Sequence, residues 1–242
     1  MIVEIVAQSA DDAVAAERAG ASRIELVSAL SLGGLTPSLG TLEETRARCG
    51  LPVIAMLRPR SGGFDYTPGE FASMLRDGQR FLDAGAAGLV FGVLNERGEI
   101  DFERNREIVA LGGEAVFHRA FDALSDPFEA LETLVELGFT RILTSGGRGP
   151  AQQGVETLKR LQEQAAGRIE ILPGGGVRPE NAAEIVSRTR IRQVHLAGQE
   201  WMTDFSTQDL GMSFNGPQHP EDKYGRVDEA IVAATVNALA RA

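Results

Sequence analysis

A single cysteine, Cys49, stands in the 242 residues, so no internal disulfide can form, and the N-terminal MIVEIVAQSA is too short and too acidic for a secretory leader. Both features predict a reduced, cytoplasmic compartment. No apolar run approaches the ~18 residues a membrane span requires, which predicts a soluble chain with no membrane partner. Lysine is nearly missing: Lys159 and Lys223 stand against 22 arginines, and neither lies at a strand end, where a Schiff-base mechanism needs its amine. No Walker loop, HExxH or CxxC occurs, so P-loop nucleotide hydrolysis and thiolate zinc sites have no basis. Positive charge is short as well. With 24 basic against 34 acidic residues, the net charge of −10 repels phosphodiester backbones and argues against a nucleic-acid partner.

Glycine is the residue in excess, at 28 with no fixed period, which excludes collagen and predicts many tight turns. Eight short runs rich in β-branched residues recur, at 2–7, 23–28, 52–57, 88–93, 115–120, 141–145, 169–174 and 193–198, with stretches of helical period between them. Helix starts are written at Thr67-Pro68-Gly69-Glu70 and Asp126-Pro127-Phe128-Glu129. Gly20, Gly50, Gly85, Gly112 and Gly138 stand where a left-handed residue closes a helix. Eight βα units in this length predict one α/β domain over residues 1–242, a single (β/α)8 TIM barrel. An open doubly wound sheet fits less well, because no strand–GxGxxG–helix turn opens the chain. The interval 197–222 lacks a clean period and reads as a long loop between strand 8 and the last helix, with that helix returning from Gly225 onward.

In such a barrel the functional groups stand where strands end and βα loops begin. Glu4 and Glu25 lie inside apolar runs, where an ionised carboxylate needs an arginine or a polar cavity, so both are expected at the barrel mouth. Arg58-Pro59-Arg60 beside Ser61-Gly62-Gly63 suits anion capture, as does Arg119, since a guanidinium presents a fork matched to carboxylate or phosphate. His118, Arg119 and Asp122 cluster at one strand end, enough for acid/base work if Asp122 or a glutamate orients the imidazole. His195 is as well suited to packing as to a site. Ser145-Gly146-Gly147 and Gly174-Gly175-Gly176 follow strands six and seven, where exposed N–H groups can cradle a phosphate. Catalytic candidates are therefore Glu4, Glu25, His118 and Asp122. Anion-binding candidates are Arg58, Arg60, Arg119, Ser145, Gly174, Gly175 and Gly176.

Taken together, RIEL (23–26), GGLTPSLG (33–40), RPRSGGFDY (58–66), FHRAFD (117–122), LTSGG (143–147) and GGGVRPEN (174–181) resemble, in order and spacing, the CutC family of copper-homeostasis proteins. The resemblance covers essentially the whole chain. It implies a cytoplasmic (β/α)8 barrel, a homodimer or larger homo-oligomer, a part in copper homeostasis, and copper as the associated metal. Family members proposed to bind copper directly carry cysteines near the first two strand ends; here those positions are Val6 and Val27. Met202, Met212 and His219 in the long loop form the one substitute set of soft donors. Beside the family-implied role stand three readings of the residues themselves. One is an enzyme using acid/base chemistry on a small anionic or phosphorylated compound. The second is a metal-dependent variant, with Glu4, Glu25 and His118 as ligands to a hard or borderline divalent ion. The third is a non-catalytic binding or scaffolding barrel.

Overall fold

The computed structural model describes residues 1–206, 208 and 222–241. All eight β-branched runs are strands: β1 (Ile2–Ala7), β2 (Arg23–Leu26), β3 (Val53–Met56), β4 (Gly88–Phe91), β5 (Glu114–Phe117), β6 (Arg141–Thr144), β7 (Glu170–Pro173) and β8 (Gln193–Leu196). A helix follows each: α1 (Ala10–Arg18), α2 (Leu39–Arg48), α3 (Pro68–Asp83), α4 (Phe102–Val109), α5 (Pro127–Leu137), α6 (Val155–Ala165), α7 (Pro179–Thr189) and α8 (Glu229–Ala240). The strands pair in parallel in the order β7-β6-β5-β4-β3-β2-β1-β8, the (β/α)8 barrel read from the sequence.

Local chemistry explains the boundaries. Thr67 and Glu70 form a reciprocal capping box behind Pro68 at the start of α3. Asp126 caps α5 alone, accepting from Phe128 N and Glu129 N. Gly20, Gly85, Gly112 and Gly138 adopt the expected left-handed conformation, but Gly50 does not. There α2 ends through an extended Cys49, and Gly50 N–H is drawn to Glu17 Oε1 at 3.0 Å.

The interval after β8 departs from the expected loop. Its two ends are strands, β9 (Gln199–Thr203) and β10 (Lys223–Val227), paired antiparallel from Gln199↔Val227 to Thr203↔Lys223. Gly225 therefore lies in a strand, and α8 starts only at Glu229, capped by Asp228 on Ala230 N. Strands whose partners stand some two dozen residues away leave no local period to read. Met202 sits in β9, whereas Met212 and His219 lie outside the described residues. Among the described residues no helix is long and apolar enough to cross a membrane.

Two apolar compartments hold the fold. The larger lies between the outer strand faces and the helices, and includes the fully buried Phe81, Phe91, Phe117 and Phe121. Burying each such ring is worth about 1.5–3 kcal/mol. The smaller fills the barrel itself with Val6, Val27, Ile54, Met56, Val90, Val116, Leu143 and Leu172. Cys49 belongs to the outer compartment, its Sγ 3.7 Å from Ala13 O, far from the strand ends.

One seam is closed differently from the rest. Between β7 and β8 no backbone ladder forms. Gln193 bridges them with its side chain, Nε2 donating to Ile171 O (3.1 Å) and Glu170 Oε2 (3.3 Å) while Oε1 accepts from Arg23 Nη2 (3.2 Å). Replacing Gln193 with Leu strips Ile171 O of this donor and Arg23 Nη2 of this acceptor, at about 1–3 kcal/mol. Urea denaturation of Gln193→Leu is expected to show a loss of about 2 kcal/mol with an unchanged slope.

Candidate functional site

Side chains alternate along a strand, and each barrel layer draws on every second strand. The pairings place Arg23, Gly88, Arg141 and Gln193 in one layer and Glu4, Ile54, Val116 and Leu172 above it. Glu25, Val90, Leu143 and His195 come next, and Val6, Met56, His118 and Gly174 stand at the top. A cleft of about 1010 Å³ opens at the strand ends, with Glu25, His195, His118, Arg58 and Arg119 on its walls.

The polar members of these layers are wired together. Glu4 is buried and forms an ion pair with Arg23, and its other oxygen lies 2.7 Å from His195 Nδ1. An ionised carboxylate can only accept, so His195 Nδ1 carries a proton. From Arg23 the chain runs through Gln193 to Glu170, then to Arg141 Nε at 2.8 Å, whose Nη2 reaches Glu114 at 2.8 Å. Burial opposes ionising Glu4, but the His195 hydrogen bond and the Arg23 charge outweigh it and hold its pKa down to about 2. Burial likewise disfavours a charged His195, yet the carboxylates of Glu25 and Glu4 raise it above its ordinary value. Glu25 is the exception in the group. It makes no hydrogen bond to any described residue, and its nearest charged neighbour is His195 Nε2 at 3.8 Å. Burial therefore dominates and pushes its pKa up to about 7.

A second cluster forms the opposite wall. Asp122 accepts from Thr144 Oγ1 (2.5 Å), Ser145 N (3.1 Å) and Arg119 Nε (2.7 Å). Arg119 Nη2 in turn donates to Ser145 Oγ at 3.2 Å, while Nη1 of this fork donates to no described residue. The guanidinium lies across Gly175: a Cβ there would stand 3.1 Å from it, and the φ of +89° independently demands glycine. The carbonyls of Gly175 and Gly176 are fixed by Ala151 N–H (2.8 Å) and the Asn181 side chain (2.9 Å), while their N–H groups donate to no described residue. One guanidinium edge beside two free amides of a strand-seven loop is the geometry of a phosphate or carboxylate cradle.

Several expected roles change. Asp122 orients Arg119, not His118. His118 Nδ1 instead accepts from Ala120 N–H at 3.3 Å, and its ring packs against Phe64 at a tilt of 55°, centroids 4.8 Å apart. Burial and the nearby Arg58 charge lower the His118 pKa to about 3, so it stays neutral. Arg58 lines the cleft, but its guanidinium is taken by the carbonyls of Leu32 (2.7 Å), Gly34 (3.0 Å) and Gly62 (2.9 Å). Its Nη1 and Nη2 staple two loops together, while Nε is buried with no hydrogen-bond partner among the described residues. Arg60 is engaged with Glu70 (2.7 Å) and Asp65 O (2.6 Å) and lies off the cleft. Ser145 supports Arg119 from behind, and Gly174 N–H is spent on Thr144 O at 3.0 Å. A Cβ on Gly174 would stand 2.5 Å from Leu143 and 3.1 Å from His195, so that glycine makes room for the histidine.

The histidine that meets Glu4 and Glu25 is His195, not His118, and ligand atoms of these three lie within 4.8 Å of one another. Arg23 on Glu4 and the proton of His195 Nδ1 on its other oxygen make this a closed charge network, with a resident cation where a second one would have to bind. Arg23, Arg141 and Gln193 were not among the sequence candidates. Their signal is parity: Arg23 stands two residues before Glu25, and Gln193 two before His195, on the same face of each strand.

Comparison with known proteins agrees with this architecture. Residues 1–200 match the model of the CutC family. A CutC family protein of Treponema denticola is 46% identical over 91% of this chain and 91% of its own length. The human protein named copper homeostasis protein cutC homolog is 41% identical over 99% of this chain and 89% of its own. A crystal structure of CutC from Streptococcus agalactiae superposes with a TM-score of 0.77 at 36% identity, covering 81% of this chain and 98% of that one. The chain belongs to the CutC family.

Proposed function

We propose that this protein serves copper homeostasis, the role for which its human and mouse relatives are named, through a cleft that binds a small anionic compound and transfers a proton on it. The observation that carries this reading is the meeting of two devices in one cavity: the free amides of Gly175 and Gly176 beside Arg119, and the unpartnered Glu25 beside a protonated His195. An anion cradle next to a carboxyl whose pKa stands near neutral is the arrangement that acid/base chemistry on a charged substrate requires.

Copper carriage on the described residues fits poorly. Copper(I) selects thiolate and thioether ligands, with imidazole next. The cleft offers one thioether, Met56, while Val6 and Val27 fill the family's cysteine positions with isopropyl groups. The sole thiol is buried between α1 and α2, where burial also raises its pKa. His195 Nδ1 is committed to Glu4, and His118 Nδ1 to Ala120. The link to copper is thus indirect in this reading.

Three measurements test it. In calorimetric titration with inorganic phosphate, Arg119→Ala is expected to weaken binding about 10- to 100-fold, the worth of one charge-assisted hydrogen bond. Copper(I) competition titration is expected to find no stoichiometric tight site; copper retained one per chain and lost on replacing Met202, Met212 or His219 would establish direct binding. The third concerns pH. The raised pKa of Glu25 means the native state holds a proton that the unfolded chain releases above about 4.5, so this group's contribution is intact below 4.5 and is lost as pH rises toward 7. Glu25→Gln is therefore expected to flatten the decline in stability between pH 4.5 and 7, read by denaturation at a series of pH values.

A further inference from the structure

Besides Arg58 Nε and Gln199 Nε2, two polar groups that line the cleft have no hydrogen-bond partner among the described residues. Ala120 N–H occupies His118 Nδ1, so the ring proton sits on Nε2, and that Nε2 is buried with no hydrogen-bond partner among the described residues. An unsatisfied buried donor costs about 1–3 kcal/mol, which a ligand oxygen placed there would recover. The surroundings dictate what kind of oxygen. Phe64 and Phe117 flank the ring and Arg58 stands nearby, so His118 is a neutral donor at every working pH. The second group is the Glu25 carboxyl, which makes no hydrogen bond to any described residue. It projects from β2, one barrel layer below His118 on β5, and both line the same cleft.

A neutral imidazole N–H stabilises an oxygen that gains charge without surrendering its own proton, and a carboxylate held near neutrality takes a proton from carbon. Resting on the anion-binding reading above, we propose that the cleft enolises a small carbonyl compound that carries an anionic group. Glu25 removes the proton from the carbon beside the carbonyl, and His118 Nε2–H holds the carbonyl oxygen. The C–H electron pair becomes the C=C bond, and the carbonyl π pair moves onto the oxygen facing His118. Glu25, now a neutral acid, returns the proton to the same carbon or its neighbour. No electron is gained or lost overall, so no oxidant or reductant is needed. Arg119, Gly175 and Gly176 hold the anionic end on the β5–β7 side. His195, braced on Glu4, is a positioning residue whose charge tunes Glu25.

Proton exchange tests this on the full chain. Dihydroxyacetone phosphate and pyruvate, a phosphate-bearing and a carboxylate-bearing ketone, are incubated with the protein in D2O, and loss of the C–H signal is followed by proton NMR. Exchange above the protein-free rate is expected with at least one probe, rising with pH through about 7 as Glu25 ionises. Glu25→Gln is expected to slow it about 10²- to 10⁴-fold and His118→Gln about 10²- to 10³-fold. Thermal melts establish that each variant is folded, and His118→Asn supplies a second variant if the glutamine destabilises. A probe that binds through Arg119 yet exchanges only at the protein-free rate overturns the enolisation proposal and leaves the anion site standing. Exchange that persists unchanged in Glu25→Gln also overturns it. Absence of any binding of the probes or of inorganic phosphate overturns both readings.

Discussion

The acid/base wall of this barrel depends on one buried carboxylate. Glu4 sits inside a ring of strands where an unpaired charge would cost several kcal/mol, and it stays ionised because Arg23 grips one oxygen and His195 the other. That double grip places a proton on His195 Nδ1, and the His195 charge moderates the rise that burial imposes on the Glu25 pKa. The same Arg23 reaches Gln193, which closes the only seam of the barrel that lacks a backbone ladder. A chain of polar side chains thus ties the acid/base groups at the mouth to the joint that completes the sheet.

Such an interior is costly compared with the branched aliphatic layers that usually fill small barrels. Here the expense is confined. The β3–β4 sector keeps Ile54, Met56 and Val90, while the charges run from β2 and β1 past Gln193 of β8 to Glu170, Arg141 and Glu114 on β7, β6 and β5. On the far wall the strand-five and strand-seven loops present Arg119 and two glycine amides. Proton-handling groups on one side and an anion cradle on the other leave the middle of the cleft apolar, lined by Val6, Met56 and Leu143. That division of labour suits a ligand with a charged end and a reactive uncharged end.

The barrel was legible because its cues are local. β-branched runs, capping residues at Thr67 and Asp126, and helix-closing glycines each act within a few positions. Glu4 and Glu25 were legible for a similar reason, since a carboxylate inside an apolar run announces a partner. What that partner is could not be read. His195 is 191 positions from Glu4, and Asp122 lies far closer in sequence to His118 than to Ser145, which it actually binds. Proximity along the chain favoured a His118–Asp122 pair, whereas strand-end geometry turned Asp122 toward β6. Arg58 was misjudged because sequence shows a guanidinium but not the three carbonyls that absorb it. The β9–β10 hairpin was missed because its two strands are separated by some twenty residues that carry no period of their own.

The central claim is that Glu4 and Glu25, two buried glutamates beside one histidine, titrate on opposite sides of the ordinary carboxylate range. Carboxyl carbon-13 NMR titration of glutamate-labelled protein, with Glu4→Gln and Glu25→Gln supplying the assignments, measures this directly. One buried glutamate, Glu25, is expected to titrate near pH 7 while Glu4 stays ionised through the ordinary carboxylate range and titrates only near pH 2. Glu25 titrating at the ordinary carboxylate value of about 4.5 would contradict the account.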